Sequence, residues 1–348
     1  MKGKWREFAG LQADESPCSG TGEFVWIWAM KIRIGWAVFL GSAAFAEGEM
    51  SVERLNPALD RLIPADAKIE VLAEGFKWSE GPVWNTKAGE LLFSDVPNNV
   101  IHAWKDGKIR ELMRPSGYSG DDPAWKSSGS NGLSFDADGR LLIAEHGDRR
   151  VSVLTEDGGK ETVADRFEGK RFNSPNDIAV HSSGAIYFTD PIYGLPKGEE
   201  DPAREIDFCG VYRVGKDGAV SLLTKELERP NGIAFSPDET TLYVANSHKP
   251  RAIILAVSIG GDGMATGTKV FFDTKDLEGK GSPDGLKVDE AGNLWATGPG
   301  GLLIISPEGK LLGRVLTGKA TANVAFGGED GKTVFLTAHN ALLQFKRH

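Results

Sequence analysis

Glu80, Asn131, Asn176, Asn231, Asp284 and Asn323 each open a similar short segment, and together they carry the oxygen atoms from which a cation site is made. The segments read EGPVW, NGLSFDADG, NDIAVHSSG, NGIAFSPDE, DGLKVDEAG and NVAFGGEDG, each an acid or amide before an apolar stretch and usually a turn. Two carboxylates and several amide oxygens form a hard-oxygen set, which suits calcium or magnesium far better than an ion that prefers thiolate. Taken singly, Asn-Gly and Asp-Gly are ordinary turn dipeptides. Six copies in phase, with Glu and Asp replacing Asn in two of them, point to a site instead.

Such a site forms only if the fold brings the six residues together. The copies lie 51, 45, 55, 53 and 39 residues apart, and strand-rich repeats of roughly 40 to 50 residues mark propeller blades. After its turn each copy returns in a second apolar strand: LLFSD to Asp95, RLLIAEH to His146, AIYFTD to Asp190, TLYVAN to Asn246, NLWAT to Thr297 and TVFLTA to Ala338. Strand, tight turn and returning strand make a β-hairpin. The expected fold class is all-β, a six-bladed β-propeller. In that architecture the innermost strand of each blade lines a central channel. If the first strand of each repeat is innermost, its leading residue sits at one channel mouth and the six converge.

Length and charge agree with one large β domain. The chain has 348 residues, 44 of them Gly, and a formal net charge of −9. Nucleic-acid recognition needs clustered Lys and Arg facing phosphates, and no such stripe occurs, so a nucleic-acid partner is not expected. Residues 1–46 read as an upstream extension plus a candidate signal peptide. Met30 is followed by Lys31 and Arg33, an apolar run from Ile34 to Phe45, and Ala44-Phe45-Ala46 as an A-x-A cleavage site. Met30 is thus a candidate initiator. The alternative is an uncleaved anchor over 24–46, a run nearly long enough to span a bilayer. With cleavage, residues 47–348 form a single propeller domain, periplasmic or secreted and free of the membrane. Of the two cysteines, Cys18 lies in the extension, and Cys209, with no partner motif, reads as a buried, inert thiol.

EGPVW, SPND, RPNGIAFSPD and SPDGLKVDEAGNLW, in that order, resemble the gluconolactonase and regucalcin (senescence marker protein) family of six-bladed propellers, over about residues 66–346. The resemblance implies a divalent metal ion, calcium first, with magnesium, manganese or zinc as alternatives. It implies Glu80, Asn231 and Asp284 as its protein ligands, and Asn176 as a substrate contact close to the metal. It also implies Asp284 as the general acid/base and a small-molecule sugar lactone as substrate. One departure stands out: regucalcin-like members carry an arginine two residues before the asparagine of the PND motif, where this chain has Ser174.

Opening a lactone requires an activated water, a polarised carbonyl and a proton for the leaving alkoxide. Asp284 could take the proton from water and return it to the ring oxygen, a step worth roughly 10² to 10⁴ in rate. A carboxylate beside a cation is a weak base, so water activated by the ion, with Asp284 as its orienter, is the competing assignment. His146, at the end of the second strand of blade two, and Asn131 join Asn176 as candidate substrate contacts. For His146 the competing reading is a plain rim histidine. Asp190, Tyr193 and Asn246, at equivalent strand ends or loops, read as loop caps rather than contacts. The long segments Pro115–Ser130 and Asp190–Phe208 are placed to shape substrate choice. No serine-hydrolase elbow, HExxH or Walker motif occurs. Alternatives to a lactonase are another ester or phosphotriester hydrolase on the same scaffold and a propeller that binds metal or ligand without turnover.

Overall fold

The computed structural model describes residues 50–348. The extension and candidate signal peptide, 1–46, lie outside the described residues. Six antiparallel sheets follow one another along the chain, built from residues 79–113, 130–164, 178–224, 230–273, 286–316 and 321–346. The architecture is a six-bladed β-propeller. The first strands of successive repeats (Ser79–Asn85, Ser130–Phe135, Ile178–Val180, Pro230–Phe235, Leu286–Val288 and Thr321–Gly327) touch one another around the ring, the last meeting the first. They are the innermost strands. Helix among the described residues is limited to 3-10 turns of three to five residues.

The apolar runs of the second and third strands are explained by burial on both faces. Side chains alternate across a strand, so each blade offers one apolar set to the blade before it and another to the blade after. In blade one Leu91 and Phe93 pack on Phe335 and Leu342 of blade six, whereas Leu92 and Ile101 pack on Leu133 and Ile143 of blade two. Similar clusters fill the other four gaps, with Phe188 and Tyr212 between blades two and three and Trp295 between blades five and six. Each such side chain contributes about 1.5 to 3 kcal/mol by leaving water. The rigidity of the channel mouth rests on these inter-blade cores.

Four strands had no counterpart in the repeat pattern, two of which, Arg166–Phe167 and Lys170–Arg171, pair only with each other. Glu70–Glu74 forms the outer strand of blade six against Ala341–Lys346, so the N-terminal side of the domain closes the ring. Ser51–Arg54 adds a fifth strand to blade five against Leu311–Leu316.

The innermost strands leave the ladder at the residues that open each repeat. Pairing slips between Glu80 and Val83, between Ser130 and Leu133, between Pro230 and Ile233, and between Thr321 and Asn323. In blades three and five the paired strand begins only at Ile178 and Leu286, two residues past Asn176 and Asp284. Bulges re-aim side chains: Asn131, Asn176, Asn231 and Asp284 stand outside the ladder, whereas Glu80 and Asn323 sit at the edge of the slip, paired with Ser94 and Thr337. Just upstream, the end of the second strand holds the backbone. Asp95 accepts the Lys77 and Trp78 N–H groups, Asp190 those of Asn173 and Ser174, and Asn246 Oδ1 that of Arg229. Each bond pins the chain two or three residues before Glu80, Asn176 or Asn231. Asp190 and Asn246 are therefore loop caps, as expected from their strand-end positions.

The glycines after four of the leading residues, Gly81, Gly132, Gly232 and Gly285, let neighbouring blades approach closely. A Cβ on Gly81 would lie 2.0 Å from the Asn131 carbonyl oxygen, one on Gly232 2.1 Å from that of Asp284, and one on Gly132 2.6 Å from that of Asn176. Through this contact the Gly132 N–H donates to Asn176 O at 2.7 Å and the Gly232 N–H to Asp284 O at 3.1 Å. Hydroxyls of the second strands reinforce the same circle: Ser94 donates to Asn131 O and Thr189 to Asn231 O, both at 2.7 Å. Asn131, Asn176, Asn231 and Asp284 are thus each held by the blade before them.

Candidate active site

Glu80, Asn131, His146, Asn176, Asn231 and Asp284 line one cavity of about 690 Å³ at the mouth of the ring. Residues separated by as much as 204 positions in sequence meet there, and every residue proposed from sequence for metal, substrate or catalysis is among them. Asn323, the sixth leading residue, is buried outside that lining, with its amide beside the Glu80 and Asp177 carboxyls.

On the cavity floor, Glu80 is buried and accepts Trp78 Nε1 at 3.3 Å and the Gly81 N–H at 3.1 Å. Burial raises its carboxyl to about 7, with the nearby Asp177 charge acting in the same direction. Asp284 is pushed well above the usual carboxylate range, first by burial and then by the charges of Glu80 and Asp177. Its Oδ1 is buried without a hydrogen-bond partner. Asn231 donates its amide nitrogen to Ser247 Oγ at 3.0 Å, and Ser247 in turn donates to Pro283 O at 2.5 Å. That bond occupies the amide nitrogen and leaves the carbonyl oxygen available to a cation.

Asp177 escaped the reading of the sequence. It stands where three of the other repeats carry glycine and a fourth carries Gly81, and this break in the pattern was the available signal. Its Oδ1 accepts the Ile178 N–H at 2.9 Å, while Oδ2 is buried and unpartnered. Burial raises its carboxyl, and the Lys287 ammonium partly offsets this. Three mutually repelling carboxyls, two with orphaned oxygens, gather excess negative charge beside the cavity floor. No cluster of three His, Cys, Asp or Glu side chains among the described residues is arranged to hold a metal by itself. The donor set that fits a hard cation is mixed, with Glu80 and Asp284 as carboxylates and Asn231 as an amide.

His146 is no rim residue. It is 3% exposed, with Nε2 3.3 Å from Asn176 Nδ2. Burial alone lowers its pKa to about 4, so the imidazole is neutral at ordinary pH and serves as a hydrogen-bonding partner. Its folded pKa lies below the unfolded value of about 6.5. The stability it contributes is therefore complete above about 6.5 and is lost as pH falls towards 4. The His146 ring resonances in an NMR titration should stay unshifted between pH 5.5 and 8, and a midpoint above 6 would contradict this environment.

Ser174 occupies the position of the missing arginine and does something different. Its hydroxyl donates to Pro191 O at 2.6 Å and accepts the Gly194 N–H at 2.9 Å. It thereby fastens the loop that carries Tyr193 against His146, so closely that a Cβ on Gly194 would lie 2.5 Å from the His146 Cβ. Tyr193 lines the cavity, contrary to its reading as a loop cap, with its hydroxyl directed to Ser247. Desolvation of the hydroxyl end, with the Asp284 charge next, raises it to about 12, although the residue as a whole is 45% exposed. The Pro115–Ser130 segment reaches the cavity through Ser127. Arg171 is engaged elsewhere, donating to Asp148 O at 2.5 Å. Cys209 is free and buried, and burial raises its thiol to about 11, in keeping with an inert side chain.

A six-bladed propeller with a carboxylate- and amide-floored cavity at its channel mouth is the class of protein this geometry defines. Residues 78–340 match the family model described as SMP-30/Gluconolactonase/LRE-like region, and the chain belongs to that family. It is similar to a gluconolactonase of Zymomonas mobilis, 39% identical, the match covering 88% of this chain and 90% of the relative. Among solved structures it is similar to a gluconolactonase from Xanthomonas campestris, with a TM-score of 0.75 and 31% identity over 85% of this chain and 95% of that one. A calcium-binding regucalcin from Agrobacterium tumefaciens shares the fold, with a TM-score of 0.64 and 22% identity over 80% of this chain and 93% of that one.

Proposed function

We propose that this chain is a divalent-cation-dependent hydrolase that opens a sugar lactone by attack of water on the ring carbonyl. That it is a lactonase rests on its family and on its 39% identity to a gluconolactonase. The observation that carries cation dependence is the convergence of Glu80, Asn231 and Asp284 on one cavity floor, with Asp284 Oδ1 buried and unpartnered. A divalent cation held by Glu80, Asn231 and Asp284, calcium on the family resemblance, would supply Lewis-acid polarisation of the carbonyl and charge for the developing oxyanion. Asp284 accepts the proton of the attacking water and returns it to the ring oxygen as the C–O bond breaks. Asn176, Asn131 and the neutral His146 hydrogen-bond the substrate, and the Trp78 ring, fixed by its bond to Glu80, walls one side.

The deciding experiment is a panel of lactones, aryl esters and a phosphotriester, assayed before and after chelation and after calcium is restored. The expected result is lactone turnover that disappears with EDTA and returns with calcium. Turnover indifferent to EDTA would sink the cation-dependent mechanism, and ester or phosphotriester turnover without lactone turnover would redirect the substrate class. Export through residues 30–46, to the periplasm or the medium, belongs to the same reading. It requires the mature protein to begin at Glu47, as N-terminal sequencing would reveal.

A further inference from the structure

The cavity is charged unevenly. Its only acidic lining residues are Glu80 and Asp284 on the floor, and its only basic ones are Lys249 and Lys280. The two lysines come from adjacent blades. Lys249 follows the second strand of blade four, two residues after Ser247, a span of about 7 Å at most. Lys280 lies in the loop leading into blade five, four residues before Asp284. Both are exposed.

The backbones that carry them are fixed. The carbonyl of Lys280 accepts the Gly300 N–H at 2.8 Å, and glycines of positive φ flank it on both sides, Gly279 at +129° and Gly281 at +106°. A Cβ on Gly279 would lie 2.4 Å from Gly300 N, so that loop rests directly on the blade-five hairpin. Lys249 opens a 3-10 turn closed by the Arg251 N–H on His248 O at 2.8 Å. The ammonium groups themselves remain uncommitted. Nearby Arg229 pairs with Glu199, and Arg251 with Glu226 and Glu228, whereas neither lysine is ion-paired among the described residues. The one hydrogen bond from either is a long one, Lys280 Nζ to Gly318 O at 3.5 Å.

With a divalent cation balancing Glu80 and Asp284, and the Lys287 ammonium offsetting Asp177, the cavity keeps the positive charges of Lys249 and Lys280. We infer that Lys249 and Lys280 bind an anionic group carried by the substrate away from its lactone carbonyl, so the preferred substrates are lactones bearing a phosphate or carboxylate. This rests on the lactonase reading above and narrows its substrate class. Two free ammonium groups at a cavity mouth raise the local concentration of an anionic substrate and bind its charged end, and both effects weaken with salt.

The test compares kcat/KM for glucono-1,5-lactone, 6-phosphoglucono-1,5-lactone and glucaro-1,4-lactone in the calcium-loaded enzyme at low and at physiological salt. The same comparison is made in Lys249→Met/Lys280→Met. An anionic substrate should be favoured about tenfold at low salt, less at physiological salt, and by a ratio near one in the double variant. The unfolding midpoint confirms that the variant is folded. Equal use of neutral and anionic lactones by the wild type, or a preference that survives the double substitution, overturns the inference while leaving the lactonase reading intact. Failure to open any of the three overturns both.

Discussion

Asp284→Asn is expected to lower kcat on the lactone by roughly 10² to 10⁴, the range for loss of a positioned acid/base group, while the cation-free protein becomes no less stable. The two halves of this result have one cause. Asp284 is held among the like charges of Glu80 and Asp177, with an oxygen that finds no donor. An amide of the same shape removes that repulsion, as happens when an active-site group kept at a cost to stability is replaced. Initial rates together with thermal unfolding after chelation test both halves. A variant retaining more than a tenth of the wild-type kcat would remove Asp284 from catalysis, and a sharp drop in its cation-free midpoint would mean that the carboxylate stabilises the fold.

Calcium added to chelated protein should raise the unfolding midpoint by several degrees. A ligand at a hundred times its Kd stabilises by about 2.7 kcal/mol, and the unfolding entropy of a domain this large converts that to roughly 1.5 °C per kcal/mol. The increment should grow between pH 5 and 8. Glu80 holds its proton more tightly in the fold, with a value raised from 4.5 to about 7. Its contribution to cation-free stability is therefore present below 4.5 and lost as pH rises through 7, where the ionised pair needs the cation most. Glu80→Gln should reduce the calcium-induced shift severalfold. Differential scanning calorimetry across this pH range measures it, and a shift equal in wild type and variant would exclude Glu80 as a ligand.

The parts of the molecule legible in sequence were those the repeat writes more than once. Six leading residues and six returning strands gave the blade number, the innermost strand and the cavity floor, because every blade meets the same packing problem. Features that occur once were hidden. Glu70–Glu74 carries no copy of the repeat, so its pairing with Ala341–Lys346 had no signal. Tyr193, Lys249 and Lys280 reach the cavity from inter-strand segments whose course depends on tertiary contacts such as Ser174 to Pro191 and Gly194. The glycines after the leading residues were visible but carried a different meaning. Turn chemistry and close approach of two backbones call for the same residue, and Gly232 separates them, with no positive φ and a Cβ that would lie 2.1 Å from Asp284 O.

The strand Glu70–Glu74 must wait for Ala341–Lys346, far along the polypeptide, before it can pair. Gln344 Nε2 donates to Glu70 Oε2 at 2.8 Å across 274 residues, and such non-local pairings form late because the intervening chain must first be ordered. The clasp is therefore the seam of the molecule. Removing the strand Ala341–Lys346 would unfasten blade six, on which Phe93 of blade one and Trp295 of blade five both lean. A permuted chain with these two strands joined and new ends cut in an outer loop would keep every blade while replacing the clasp with a peptide bond.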